Sequence, residues 1–113
     1  MTRDELHAFA MGLPGATMDV QWGDDHVYKV GGKMFAATDG AYSNLSFKAT
    51  DIAFEAMTTT GRARPAPYMA RAKWVTLDDL AREDAGEVED WVRTSHRLVA
   101  AKLTRKQRAE LGL

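Results

Sequence analysis

The sequence predicts an α+β two-layer sandwich, in which helices pack on one face of an antiparallel β-sheet. Short segments of alternating apolar and polar residues, joined by tight turns, occupy much of the first half. A long helical pattern occupies the last third, and a short one opens the chain. The length of 113 residues suits one domain, spanning 1–113, with a modest hydrophobic core.

The first elements along the chain are a helix and a strand. Thr2 and Glu5 stand at capping-box spacing, which predicts a helix over residues 2–12. The next segment, 16–22, predicts a half-buried strand because its apolar residues alternate with polar ones. These apolar residues are Met18, Val20 and Trp22.

A hairpin is predicted around Gly31-Gly32, between strands over 26–30 and 33–38. The expected register places Val30 opposite Lys33 and Tyr28 opposite Phe35. The other face would then carry Val27, Met34 and Ala36. After a turn at Asp39-Gly40, a further strand over 44–49 alternates Leu45 and Phe47 with polar residues.

The second half begins with a short helix over 51–58, capped by Thr50 or Asp51. After a loop containing Pro65 and Pro67, residues 67–77 are expected to form a long strand or a hairpin. Trp74 in this stretch should be buried against Trp91 or Trp22.

The clearest element is a helix over 84–103, followed by a final short helix over 105–111 that Thr104 can cap. The apolar stripe of the long helix consists of Val88, Trp91, Val92, Ser95, Leu98, Val99 and Leu103.

Composition excludes several classes of protein. The chain has no cysteine, which rules out disulfides and thiol catalysis and fits a reducing compartment. No apolar run is long enough to cross a bilayer, and the N-terminal segment lacks a signal-peptide core. We therefore expect a cytoplasmic protein without a membrane partner. The net charge of −1 lies far from the basic balance of a dedicated nucleic-acid binder.

Four segments together resemble the MmcQ/YjbR family of small bacterial proteins. They are "VYKVGGKMFA" (27–36), "LSFKATD" (45–51), "PYMARAKWVTL" (67–77) and "SHRLVAAKLTRKQR" (95–108). The resemblance implies a fold similar to that of CyaY and the frataxins. It also implies DNA binding through a "double wing" of sheet hairpins, which has been proposed for some members. It implies no enzymatic activity.

The residues themselves give no indication of an enzyme. Neither a phosphate-binding glycine loop nor a hydrolase or metalloprotease motif is present. Ser95 and His96 are adjacent, but neighbouring helix positions diverge by about 100°, so they cannot act together readily. Ser95 is expected to bond back to a carbonyl of its own helix.

A metal or cofactor site is not expected either. Acidic residues gather at Asp78, Asp79, Glu83, Asp84, Glu87, Glu89 and Asp90, and hard cations prefer such oxygen ligands. The start of a helix favours negative charge for its own reasons, which accounts for these acids without a metal.

Two basic blocks suggest contact with nucleic acid. The block at the end of the long helix contains Arg93, Arg97, Lys102, Arg105, Lys106 and Arg108, and the helix dipole explains cations there. The block over 62–73 contains four cations and no acidic residue, and it has no such explanation. The residues predicted to contact a phosphate backbone, weakly and with strong salt dependence, are Lys33, Lys48, Arg62, Arg64, Arg71 and Lys73.

The alternative hypothesis is a module that binds a protein or a small ligand. Met57 and Met69 flank the loop over 58–68 and can line an adaptable apolar surface. The two hypotheses differ in what should lie on the surface: a continuous basic stripe favours nucleic acid, and an exposed apolar groove beside the loop favours a partner or ligand.

Overall fold

The computed structural model describes residues 1–113 and confirms the α+β two-layer sandwich. Six strands form one antiparallel sheet in the order β1-β2-β3-β4-β6-β5. The strands are β1 (Ala16–Gln21), β2 (Asp25–Val30), β3 (Lys33–Thr38), β4 (Leu45–Lys48), β5 (Arg64–Pro65) and β6 (Trp74–Leu77). The helices are α1 (Arg3–Met11), α2 (Asp51–Thr59), α3 (Ala85–Ala100) and α4 (Arg105–Glu110), and they pack on one face of the sheet.

Side-chain caps fix where the helices begin. The Thr2 hydroxyl accepts a hydrogen bond from the Glu5 amide at 3.2 Å, and the Glu5 carboxylate accepts one from the Thr2 amide at 2.9 Å, which confirms the predicted capping box. Thr50 caps α2 and Thr104 caps α4, as their sequence positions predicted. The long helix α3 ends at Ala100, short of the predicted 103, because a turn follows and brings Leu103 back against Gly31.

The hydrophobic core is a cluster of 21 buried residues between the sheet and the helices. The sheet contributes Tyr28, Val30, Phe35, Ala36, Leu45, Phe47, Val75 and Leu77. Trp74 and Thr76 alternate with the core residues of β6 and therefore point to its other face. Both are nevertheless buried, which confirms the predicted burial of Trp74. Both predicted ring partners of Trp74 were wrong: Trp22 is exposed, and Trp91 stacks on Phe47 on the face that Trp74 points away from.

The strand β1 is less buried than its pattern predicted. It lies at an edge of the sheet, and its last residues extend past the core. Met18 packs against the core, but Val20 is 57% exposed and Trp22 is 70% exposed. Trp22 has already left the strand, with a φ of 51° at the start of the turn to β2. The alternating pattern therefore corresponds to alternating burial only in the first part of the segment.

The predicted hairpin register was right at Val30, which lies opposite Lys33, and wrong beyond it. Tyr28 pairs with Ala36 and Lys29 with Met34, so Phe35 is an extra residue, a β-bulge. Because of the bulge, Phe35 and Ala36 both belong to the core. Ala36 was therefore wrongly assigned to the other face.

Ser95 of α3 does not bond to its own helix, contrary to the prediction. Its hydroxyl donates a hydrogen bond to the Phe35 carbonyl of β3 at 2.6 Å and accepts one from the Lys48 amide of β4 at 2.9 Å. The register of β3 and β4 would place Phe35 opposite Lys48, but these two residues do not pair directly. The Ser95 hydroxyl thus joins the two strands where the bulge interrupts their ladder.

Residues 67–77 form neither a long strand nor a tight hairpin. Only Trp74–Leu77 is a strand, and it pairs with the two-residue strand β5 across the loop 66–73. A single 3-10 turn, Ala70–Ala72, fills the middle of the loop. Positive φ angles at Tyr68 (65°) and Lys73 (65°) bend the chain on either side of this turn. None of the helices in the fold combines the length and the apolar character that crossing a membrane requires.

Candidate nucleic-acid interface

The charged residues near the strand termini are divided between the two ends of the sheet. One end contains the turn Gly31–Gly32 and the loop 66–73, and we call it the hairpin end. Lys33 is the first residue of β3 and Lys48 is the last residue of β4, so both lie at this end. Lys48 pairs with Trp74, the first residue of β6, and Lys73 directly precedes that strand. The opposite end, which we call the acidic end, carries Asp24, Asp25, Asp39, Asp78 and Asp79 next to the other strand termini.

The helix α3 has the same polarity as the sheet. Its first turn, with Asp84 and Glu87, lies at the acidic end, because the preceding Leu80 amide bonds to the Ser43 carbonyl. Its last turn lies at the hairpin end, where Leu103 contacts Gly31. The exposed residues Arg97 and Lys102 are therefore added to the cations of the hairpin end.

The cations of the hairpin end have no acidic partners. No carboxylate lies within 4.0 Å of the basic groups of Lys33, Lys48, Arg71, Lys73, Arg97 or Lys102. Four of these six belong to the predicted set, and the structure brings them to one end of the molecule.

Lys48 is the most enclosed of these cations. Its ammonium group donates a hydrogen bond to the Ala72 carbonyl at 2.5 Å, so it ties β4 to the loop 66–73. Burial lowers the pKa of Lys48, and the nearby charge of Lys102 lowers it further, while Asp51 acts in the opposite direction. Lys48 also shares with Arg97 the lining of a cavity of about 190 Å³. The lowered pKa is therefore mainly an effect of burial, to which the positive charge of Lys102 adds.

Lys73 is positioned by the backbone rather than by a strand. It has a φ of 65° and places its ammonium group 5.1 Å from the centre of the Phe54 ring. A cation over an aromatic face is stabilised without losing its charge. Arg71, two residues earlier, is exposed in the 3-10 turn.

Arg62 and Arg64, the other two predicted residues, lie toward the acidic end. The Arg62 guanidinium lies 3.1 Å from Glu83 and 2.8 Å from Glu87, and it also covers the Trp91 ring. The hydrogen bond to Glu83 raises the pKa of Arg62. Arg64 lies 2.7 Å from Asp78. The block that is free of acids in the sequence is therefore not free of them in space.

Tyr68 is the most exposed large side chain in the loop 66–73. It is fully exposed, and its positive φ of 65° projects it from the turn just before Arg71. In the sequence Tyr68 lies three residues before Arg71, but no motif there predicts a role for it. A solvated aromatic ring beside cations is the arrangement that proteins use to stack on unpaired bases.

The surface beside the 58–68 loop is charged rather than apolar. Met57 is buried and Met69 is half-buried, so neither forms an exposed patch. The loop and the segment 78–83, which precedes α3, enclose a depression of about 570 Å³. Nine of its ten lining residues are not hydrophobic, and these include Arg62, Arg64, Asp78, Asp79, Arg82 and Glu83. This depression is therefore not the apolar groove that the alternative hypothesis requires. A shallower and more apolar depression beside the same loop is lined by Ala56, Met57, Thr60, Gly61 and Arg62.

His96 and the acidic residues over 78–90 make contacts that stabilise the fold. His96 is buried, with its Nε2 atom 2.8 Å from the Pro14 carbonyl and its ring against Phe35. Five of the seven acids over 78–90 pair with Arg62, Arg64, Arg82 and Arg93, and Asp84 caps α3. They do not assemble with one another into a group that could hold a metal ion.

Comparison with known proteins places this architecture in a family. The family model described as YjbR matches residues 11–98. The chain belongs to the YjbR family. The match includes β1 to β6 and most of α3, and so contains the hairpin end of this YjbR chain apart from Lys102.

One solved structure is similar to this YjbR chain over nearly its whole length. It is the crystal structure of the Deinococcus radiodurans protein DR2400, with a domain described as DUF419. The two share 27% sequence identity with a TM-score of 0.86, covering 99% of this chain and 88% of the other. The search among curated proteins found no match.

Proposed function

We propose that this chain is a non-enzymatic protein that binds nucleic acid weakly through the phosphate contacts of its hairpin end. The observation that carries the proposal is the set of cations at that end without carboxylate partners. An unpaired cation can release condensed counterions from a nucleic acid, whereas one already paired with a carboxylate must first lose that partner. Lys33, Lys48, Arg71 and Lys73 are therefore the proposed phosphate contacts, joined by Arg97 and Lys102.

The arrangement of the hairpins supports the proposal. The β2–β3 turn and the β5–β6 loop extend from the same end of the sheet, with β4 between the two hairpins. Lys33 and Lys73 lie on or beside strands two intervals apart, a separation of about 10 Å. Two hairpins at one end of the sheet are what a double wing would require, and this arrangement supports the proposal. A duplex backbone crossing both hairpins would meet the cations between them.

The experiment is a fluorescence anisotropy titration of one labelled duplex and one single strand of equal length. Four neutralised phosphates, one each for Lys33, Lys48, Arg71 and Lys73, predict that log K falls with log salt with a slope of about −3.6 for the duplex. Contacts from Arg97 and Lys102 as well would steepen the slope to about −5.4. The double variant Lys33→Ala/Lys73→Ala should flatten this slope by about 1.8 and weaken binding to all sequences alike.

The matched control is Arg62→Ala/Arg64→Ala, which removes the same charge from the paired residues. It should leave the slope close to that of the wild type. Equal losses in the two double variants would show that only net charge matters, and the hairpin end would then have no special role. Absence of binding to either nucleic acid at about 50 mM salt would overturn the proposal.

A further inference from the structure

Four side chains form one line of hydrogen bonds between α1, β2 and the loop after β3. The Nδ1 atom of His7 lies 2.8 Å from the Tyr28 hydroxyl oxygen. The hydroxyl oxygens of Tyr28 and Tyr42 are 2.7 Å apart, and that of Tyr42 lies 2.8 Å from Nδ1 of His26. We call these four residues the His–Tyr chain. None of them belongs to the hairpin end.

The His–Tyr chain contains three hydrogen bonds and therefore needs three donated hydrogens. The two tyrosine hydroxyls supply two of them. The third must come from Nδ1–H of one histidine, and the other histidine must accept at Nδ1. Burial raises the pKa of Tyr28, as does its bond to Tyr42, so Tyr28 keeps its hydrogen at neutral pH. With all three bonds formed, one Nδ1 atom carries a hydrogen and the other does not.

The hydrogen count also fixes the outward-facing atoms of the two rings. When both imidazoles are neutral, the histidine that donates at Nδ1 has a free electron pair at Nε2. The histidine that accepts at Nδ1 carries its hydrogen at Nε2. Neither Nε2 atom has a hydrogen bond to the protein. The two rings therefore present one acceptor and one donor.

Both histidines line a cavity of about 130 Å³, together with Arg3, Asp4, Met18 and Tyr42. Its size corresponds to about four water molecules, at about 30 Å³ each. The Arg3 guanidinium lies over the Tyr42 ring, 5.4 Å from its centre, and has no carboxylate within 4.0 Å. The cavity thus combines two imidazole edges with one unpaired guanidinium.

We propose that this cavity binds a small carboxylate and that binding is accompanied by the uptake of one proton. A proton added to the free Nε2 electron pair creates one imidazolium and leaves all three bonds of the His–Tyr chain intact. A second proton would have to occupy the accepting Nδ1 atom and would break a bond. The two histidines together therefore supply one positive charge, which with Arg3 faces the carboxylate.

The surrounding charges limit the ligand to a monoanion. Asp4 on α1 also lines the cavity, and His26 faces a second depression that contains Asp24, Asp25 and Asp39. These acids oppose a dianion such as hydrogen phosphate. A divalent metal bound by both Nε2 atoms would require a hydrogen at both Nδ1 atoms. The His–Tyr chain would then have four hydrogens for three hydrogen bonds, so it also disfavours a metal.

The experiment is a titration of the full chain with acetate at constant ionic strength, followed by nitrogen-15 NMR of the imidazole rings. The free protein should show one histidine with hydrogen at Nδ1 and one with hydrogen at Nε2. Acetate should shift both rings and protonate the free Nε2 atom. Calorimetry in two buffers of different ionisation enthalpy should show uptake approaching one proton per acetate, and log K should rise by up to one per unit fall in pH.

Substitutions separate this site from the nucleic-acid interface. Arg3 is exposed, so Arg3→Gln should preserve the fold and weaken acetate binding about tenfold, as loss of a charge-assisted contact requires. Lys73→Ala should leave acetate binding unchanged. The same tautomer at both histidines of the free protein, no ring shift with acetate, tighter binding of inorganic phosphate, or equal losses in both variants would each overturn the proposal.

Discussion

The hydroxyl group of Ser95 donates a hydrogen bond to the carbonyl oxygen of Phe35, the bulged residue of β3, over 2.6 Å. The same hydroxyl accepts the Lys48 amide of β4. The Ser95 side chain thus supplies the hydrogen bonds that Phe35 and Lys48 cannot make to each other across the bulge. The core can therefore hold both Phe35 and Ala36 without leaving two buried backbone groups unpaired.

Ser95→Ala should lower the free energy of unfolding by about 1–3 kcal/mol, because the Phe35 carbonyl and the Lys48 amide would lose their partner. Urea denaturation provides the measurement. Thr94→Ala, one position along the helix and without hydrogen bonds to the sheet, is the control and should change stability little. Equal stability of Ser95→Ala and the wild type would show that the strands close directly without the hydroxyl.

The tryptophans should differ sharply in their contribution to stability. Trp74→Ala removes a buried side chain and should cost about 3–5 kcal/mol. Trp22→Ala removes a side chain that is 70% exposed and should stay within about 0.5 kcal/mol of the wild type. Denaturant midpoints of the two variants test this directly. A Trp74→Ala midpoint at the wild-type value would contradict the burial described here.

Stability should depend on pH through Asp39, which holds the loop carrying Tyr42. Partial burial of Asp39 acts to raise its pKa, but hydrogen bonds from the Ser43 hydroxyl and amide outweigh it and lower the pKa below its usual value. The stabilisation is therefore complete above the unfolded pKa of about 3.9 and is lost as the pH falls through the lower folded value.

The variant Asp39→Asn tests this linkage. The difference in unfolding free energy between wild type and variant should be constant above about pH 5 and should shrink as the solution is acidified below about pH 4. Urea titrations at a series of pH values measure it. A difference that grows on acidification would give the opposite sign and contradict the hydrogen-bonding role of Asp39.

Tyr68 should affect single strands more than duplexes. Its exposed ring can stack on an unpaired base, a contact worth about 1–3 kcal/mol, but finds no such base in a duplex. Tyr68→Ala should therefore weaken single-strand binding about fivefold or more and leave duplex binding nearly unchanged. Tyr68→Phe, which keeps the ring, is the matched control. Equal weakening for both nucleic acids would assign Tyr68 a role in loop shape instead.

The sequence predicted the elements that depend on local chemistry. The caps at Thr2, Thr50 and Thr104 were found because they satisfy amides only a few residues away. The bulge at Phe35 was missed because the predicted register paired each residue of β3 with one residue of β2, which leaves no place for an extra residue. The partner of Ser95 was missed for a related reason: it lies 60 residues away, on a strand that only the bulge leaves open.

The candidate site was predicted in part, and distance along the chain explains the errors. Arg62 and Arg64 have no acidic neighbours in sequence, but the β5–β6 register brings Arg64 beside Asp78, and Arg62 reaches Glu83 and Glu87. For the His–Tyr chain one signal was available. His26 and Tyr28 are two residues apart on a strand, so both point to the same face, which is the face covered by helices.

The separation of charge into a hairpin end and an acidic end gives the molecule an electric dipole along its strands. A body with a net charge of −1 is weakly repelled by a polyanion at long range. Within about one Debye length, about 8 Å at physiological salt, the field of the polyanion exerts a torque on this dipole that turns the hairpin end forward. Orientation before contact, rather than total charge, would then determine how often an encounter is productive. A substitution at the acidic end that never touches a partner can therefore still alter the rate of association.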